Sequence, residues 1–145
     1  MSLIPEEHKP HLKEELQASL RGPVRLVLFT QEIECEFCKE TRELVTDVAE
    51  LAPDKIKAEI YDFVKDADKA KEFNVDKVPA VVILGSKDYG IRYCGIPYGY
   101  EFSAFIDNII NVSKGITNLS EDTKKKLASI EKPVHIQVFV TLTCP

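Results

Sequence analysis

No apolar run in this chain approaches the roughly 18 residues that a membrane-crossing helix needs. The first residues, Met1-Ser2-Leu3-Ile4-Pro5-Glu6-Glu7, hold no basic region leading into a long apolar stretch. These two absences predict a soluble, cytoplasmic protein with no membrane partner. Positive charge is also short: the formal net charge is -5 and the only dense basic run is Lys124-Lys125-Lys126. Nucleic acid is therefore excluded as an expected partner, and the lysine run reads as a solvated helix face. Cysteine is too sparse and too uneven, with 4 in the chain, to form a secreted disulfide scaffold. Met, Asn and Gln are scarce while charged residues make up 30% of the chain, a balance that leans towards a thermophilic source. Intracellular disulfides are ordinary in hyperthermophiles.

What is present starts with a length of 145 residues, enough for one full domain with a real core and part of another. Leu12, Leu16 and Leu20 repeat at i, i+4, i+8 and stop at Gly22-Pro23, which predicts an amphipathic helix. Val24 to Phe29 is short and nearly continuous in apolar character, as a strand buried on both faces must be. After Cys38 the residues Thr41, Leu44, Val45, Val48 and Leu51 fall at helical spacing until Pro53. Ile56 to Phe63 reads as a second strand and Asp66 to about Phe73 as a short charged helix. This alternation implies parallel pairing with right-handed crossovers. Then Val78 to Leu84, a turn at Gly85 to Asp88, and Ile91 to Gly95 form an antiparallel hairpin, and Tyr100 to Val112 closes the unit as a helix. The expected fold is α/β, a central mixed sheet with helices on both faces.

Between the first strand and the second helix stands Cys35-Glu36-Phe37-Cys38. Residues three apart at a helix entrance are neighbours on one face, so the two sulfurs are within reach of a small-loop disulfide. The unpaired N–H groups and positive dipole end of the helix favour a thiolate at Cys35, the candidate nucleophile. Cys38, one turn in and more shielded, is the candidate resolving cysteine. Glu32, Glu34 and Glu36 work against that activation and predict a pair poised towards reduction. Two other readings stand beside redox: a C-x-x-C pair is a common zinc half-site, and the pair could be a static staple in a non-enzymatic interaction module. Cys94, in an alternating strand, reads as a buried, inert cysteine. His8 and His11 read as solvated side chains, and Tyr98 and Tyr100 as packing and capping residues.

The second half echoes the first. Ala18-Ser19-Leu20-Arg21-Gly22-Pro23-Val24 returns as Ala128-Ser129-Ile130-Glu131-Lys132-Pro133-Val134, with Phe29 matched by Phe139, and the copy stops at Cys144-Pro145. The expected organisation is a complete unit over residues 1–115 followed by an incomplete start of a second over 116–145. Residues 134–140 would then be an apolar strand without a sheet, prone to self-association with a second copy or to lying against the first unit.

Together Cys35-Glu36-Phe37-Cys38 after the first strand, Val78-Pro79 at the third, Gly95-Ile96-Pro97-Tyr98-Gly99-Tyr100-Glu101-Phe102 before the last helix, and the repeat resemble the thioredoxin fold. The likeness is to the tandem, glutaredoxin-like form of the thermophile protein disulfide oxidoreductases. The resemblance implies a cis bond at Val78-Pro79 facing the cysteine pair, with the Val78 backbone free to pair with a substrate strand as a shelf. It also implies that Cys144 is the remnant of a second Cys-Pro-x-Cys site. Glu36 and Phe37 depart from the Pro- or Gly-containing pairs common in thioredoxins and isomerases, and the first strand lacks the buried aspartate of thioredoxins. The implied activity is thiol–disulfide exchange with protein substrates. No cofactor is expected to be tightly bound, and electrons would come from a nicotinamide-dependent, thioredoxin-reductase-like partner.

Overall fold

A computed structural model describes residues 2–144. Its elements run α1 (Lys9–Ser19), β1 (Val24–Thr30), α2 (Cys38–Leu51), β2 (Ile56–Asp62), α3 (Ala67–Glu72), β3 (Ala80–Leu84), β4 (Asp88–Cys94), α4 (Glu101–Lys114) and α5 (Glu121–Ala128). The four strands form one sheet in the order β2-β1-β3-β4. β1 pairs in parallel with β2, while β3 is antiparallel to both β1 and β4. No helix among the described residues is long and apolar enough to cross a membrane.

The unbroken apolar character of β1 has a direct cause. Successive side chains in a strand point to opposite faces, and both faces of β1 are covered. Val24, Leu26 and Leu28 join Val81 and Ile83 of β3 in a core shared with α1, α2 and α4. Val27 and Phe29 join Val82 and Leu84 on the other face, against Ala70 and Phe73 at α3. Phe29 stacks on Tyr61 with ring centroids 5.6 Å apart and meets Phe73 at 6.1 Å. Helix α2 adds Leu44, Val45 and Val48, all at 0% exposure, and each such side chain removed from water contributes about 1.5–3 kcal/mol before the entropy of ordering it is counted. The helix that carries Cys38 is therefore fixed to the sheet by its own core face.

Two sequence-based expectations change here. Cys94 is exposed rather than buried, because β4 is an edge strand paired only with β3, and its residues are exposed or half-buried instead of entering the core. Tyr98 and Tyr100 are 39% and 62% exposed. Tyr100 takes the N-cap position of α4 but makes no side-chain capping bond, whereas Tyr98 lines a cleft with Leu3, Ile4, Leu12 and Phe102. In the second half α5 forms with Ser120 as its N-cap, accepting from the Thr123 N–H. Residues 131–140 follow without ladder partners among the described residues, and Ile136, Val138 and Phe139 are 80%, 80% and 89% exposed.

The hairpin is pressed against α4 at Gly85, where an added Cβ would stand 2.6 Å from the Val112 carbonyl oxygen. A backbone oxygen cannot rotate aside as a side chain can. Gly85→Ala is expected to lower stability by about 1–3 kcal/mol, read as a lower urea midpoint at unchanged m-value. An unaltered midpoint would show that the hairpin can shift away from α4 at no cost.

Candidate active site

β1 hands the chain to residues 31–37, a loop of turns and bends before α2. Gln31 braces that loop, its side-chain amide donating to the carbonyls of Ile33 at 2.7 Å and Glu34 at 3.3 Å. Glu34 has φ 57°, in the left-handed region that few non-glycine residues adopt. The loop then enters α2 through Phe37, an N-cap without a side-chain cap bond. The Phe37 carbonyl accepts both the N–H of Thr41 at 2.9 Å and its hydroxyl at 2.6 Å. That closes the first turn, while the N–H groups ahead of it stay unpaired.

Cys35 and Cys38 are joined in a disulfide with their Cα atoms 5.5 Å apart. Their environments differ. Cys35 is half-buried, whereas Cys38 is 4% exposed. The Gln31 N–H donates to the Cys38 sulfur at 3.4 Å. One turn further along the same helix face, Arg42 donates from Nη2 to the Thr30 hydroxyl at 3.1 Å. An N–H directed at a sulfur favours its anionic form and burial opposes it; of the two sulfurs, the outer one is reachable by another molecule. The carboxylates of Glu32, Glu34 and Glu36 are exposed around the outer sulfur. Glu40, two residues past Cys38, keeps one carboxylate oxygen buried without a hydrogen-bond partner.

The sheet brings Val78 and Pro79 to the same end. Phe29 is the register partner of Ala80, so Pro79 and Val78 continue β3 alongside Thr30 and Gln31, the segment whose N–H holds Cys38. On the other side, the Gly95 N–H donates to the Pro79 carbonyl at 2.8 Å. The Val78–Pro79 bond is cis. Pro79 is buried and Val78 half-buried, and neither the N–H nor the C=O of Val78 is bonded among the described residues. Cys144, by contrast, is a free, exposed cysteine on the segment after α5. Among the described residues no group of three or more His, Cys, Asp or Glu side chains is placed to hold a metal ion.

Two contributors to the site, Gln31 and the Arg42–Thr30 contact, were not singled out by sequence patterning. The i, i+4 spacing of Cys38 and Arg42 was the visible signal for the second. Nothing in composition marks Gln31, whose role depends on how the loop folds back on itself.

No family model matches the sequence. The alkyl hydroperoxide reductase AhpF of Staphylococcus epidermidis is 26% identical over 138 residues, covering 89% of this chain and 25% of the relative. Its counterpart in Staphylococcus aureus is 24% identical over the same share of each chain. The chain thus spans about a quarter of the length of these curated relatives. Among solved structures, a protein disulfide oxidoreductase from Aeropyrum pernix superposes with a TM-score of 0.86 at 31% identity, over 97% of this chain and 61% of the other. The alkylhydroperoxide reductase AhpF from Enterococcus faecalis gives 0.76 at 26% identity, over 89% and 62%.

The difference in exposure within the pair has a chemical readout. Before reduction, iodoacetamide is expected to label Cys94 and Cys144 only. After mild reductant, Cys35 is expected to alkylate ahead of Cys38, as resolved by peptide mass spectrometry. Equal rates for the two would contradict this geometry. Topology and structural likeness make the fold thioredoxin-like, and its similarity to a disulfide oxidoreductase and to hydroperoxide reductases supports thiol–disulfide oxidoreductase chemistry in general.

Proposed function

We propose that this chain exchanges disulfides with protein substrates through Cys35 and Cys38. The observation that carries the reading is the asymmetry of the pair: one disulfide, one sulfur reachable at the loop and the other buried behind it. Nucleophilic attack on a protein disulfide needs an accessible thiolate, and resolution needs a second, shielded thiol within reach of the nucleophile's own sulfur in the mixed disulfide.

In the reductive direction the Cys35 thiolate attacks one sulfur of the partner disulfide. A mixed disulfide forms and one partner thiolate leaves. Cys38 then gives its proton to solvent and attacks the Cys35 sulfur, expelling the second partner thiolate. The partner gains two electrons and the Cys35–Cys38 disulfide returns. The cycle is reset by a two-electron reductant, for which a nicotinamide-dependent reductase acting on this protein is the proposed source. No tightly held cofactor takes part in the exchange itself.

Val78 supplies the shelf. Its unpaired N–H and C=O lie at the end of β3, where an extended segment of the partner would find main-chain hydrogen bonds. Pro79 sits beneath, held by Gly95 on one side and by the β1 register on the other.

Cys35→Ser is expected to reduce the dithiothreitol-dependent reduction of insulin to the uncatalysed background. Cys38→Ser should instead accumulate a mixed disulfide visible on non-reducing gels. Insulin reduction persisting in Cys35→Ser would overturn the assignment.

A further inference from the structure

Resting on the exchange reading above, we propose that the site selects its partners by charge: the preferred segment carries Lys or Arg next to an apolar residue beside its reactive sulfur. The feature behind this is the collar around Cys35. Glu32, Glu34 and Glu36 are all exposed on the seven-residue stretch between β1 and α2. None of the three enters an ion pair or a side-chain hydrogen bond among the described residues. The loop that presents them is braced by Gln31 through two carbonyls, so their backbone positions flanking Cys35 are fixed.

Nearby cations do not neutralise them. Arg42 donates to the neutral Thr30 hydroxyl and keeps its positive charge near the pair. Lys65 is engaged with Asp62 at 3.8 Å, and Lys77, next to the shelf, is paired with Asp76. Arg42 with Lys39, which is exposed in the first turn of α2, makes two cations against three carboxylates. The mouth of the site therefore keeps a net negative charge.

The same collar carries apolar surface. Ile33, between two of the glutamates, is 77% exposed, and Val64 is 71% exposed. Val64 follows Phe63, whose N–H donates to the Thr30 carbonyl at 2.8 Å, which puts it at the end of the sheet from which the loop departs. An extended segment on the Val78 shelf would set one apolar side chain against this surface and its basic neighbours among the carboxylates. Charge complementarity of this kind acts mainly on the encounter rate and on the rejection of wrong partners.

The test uses the reduced full chain and two synthetic peptides, each with an intramolecular disulfide and the same apolar residue beside the attacked cysteine. One is flanked by lysines and the other by glutamates. Single-turnover rates are followed at about 10 mM and about 0.5 M salt, conditions that take the screening length from roughly 30 Å to a few ångströms. The lysine peptide is expected to react at least about tenfold faster at low salt, with the ratio shrinking towards one at high salt. In the triple variant Glu32→Gln, Glu34→Gln, Glu36→Gln the ratio should collapse to within about twofold at low salt. Any effect of the carboxylates on the thiolate fraction of Cys35 is common to both peptides and cancels in that ratio. Equal rates in the parent, or a ratio the triple variant leaves unchanged, would overturn charge selection while leaving the exchange reading in place. Failure of the parent to reduce either peptide would remove the exchange reading and this inference with it.

Discussion

The position of β1 at the centre of the sheet holds the site in place. It is bonded in parallel to β2 and antiparallel to β3, and its alternate side chains enter separate cores on the two faces. A strand fixed on four sides cannot slide by one residue without moving every apolar side chain to the wrong face. The point at which the chain leaves the sheet is fixed with it, and so is the loop that carries Cys35. The opposite attachment is equally firm, since α2 enters the core through Leu44, Val45 and Val48 and holds Cys38 at its first turn. The disulfide therefore ties that short loop to the first turn of a helix held by the core.

That rigidity allows two chemically identical residues to act differently. Cys38 lies under the loop with a backbone N–H on its sulfur, and Cys35 lies at the surface among carboxylates. Accessibility and shielding are therefore divided between the two sulfurs. In the proposed charge selection, the same carboxylates that flank Cys35 also meet an approaching partner, so one set of charges would act on both reactivity and encounter.

Much of this was legible in the residues. The spacing of Leu44, Val45 and Val48 placed α2, the continuous run from Val24 placed a doubly covered strand, and Gly85 to Asp88 placed the hairpin turn, each observed close to its expected bounds. These signals are local, because periodicity and turn chemistry act over a few residues. The misreadings were non-local. Cys94 sits in a segment patterned like a half-buried strand, but β4 has a neighbour on one side only. Tyr100 has the apolar body of a packing residue, yet it stands at the surface where α4 begins. Separately from these, residues 134–140 have the composition of a strand and no ladder partner among the described residues.

From the residues alone come the succession of strands and helices, the three-residue spacing of the two sulfurs at a helix entrance, and the cluster of acidic residues around them. Packing in three dimensions was needed to bring Val78 and Pro79 beside Gln31, to bury Cys38 while leaving Cys35 reachable, and to engage Lys65 and Lys77 elsewhere. The reason is one of range: helix and strand periodicity is written in neighbouring residues, whereas burial and charge pairing at the site follow from strand order, which joins residues far apart in the chain.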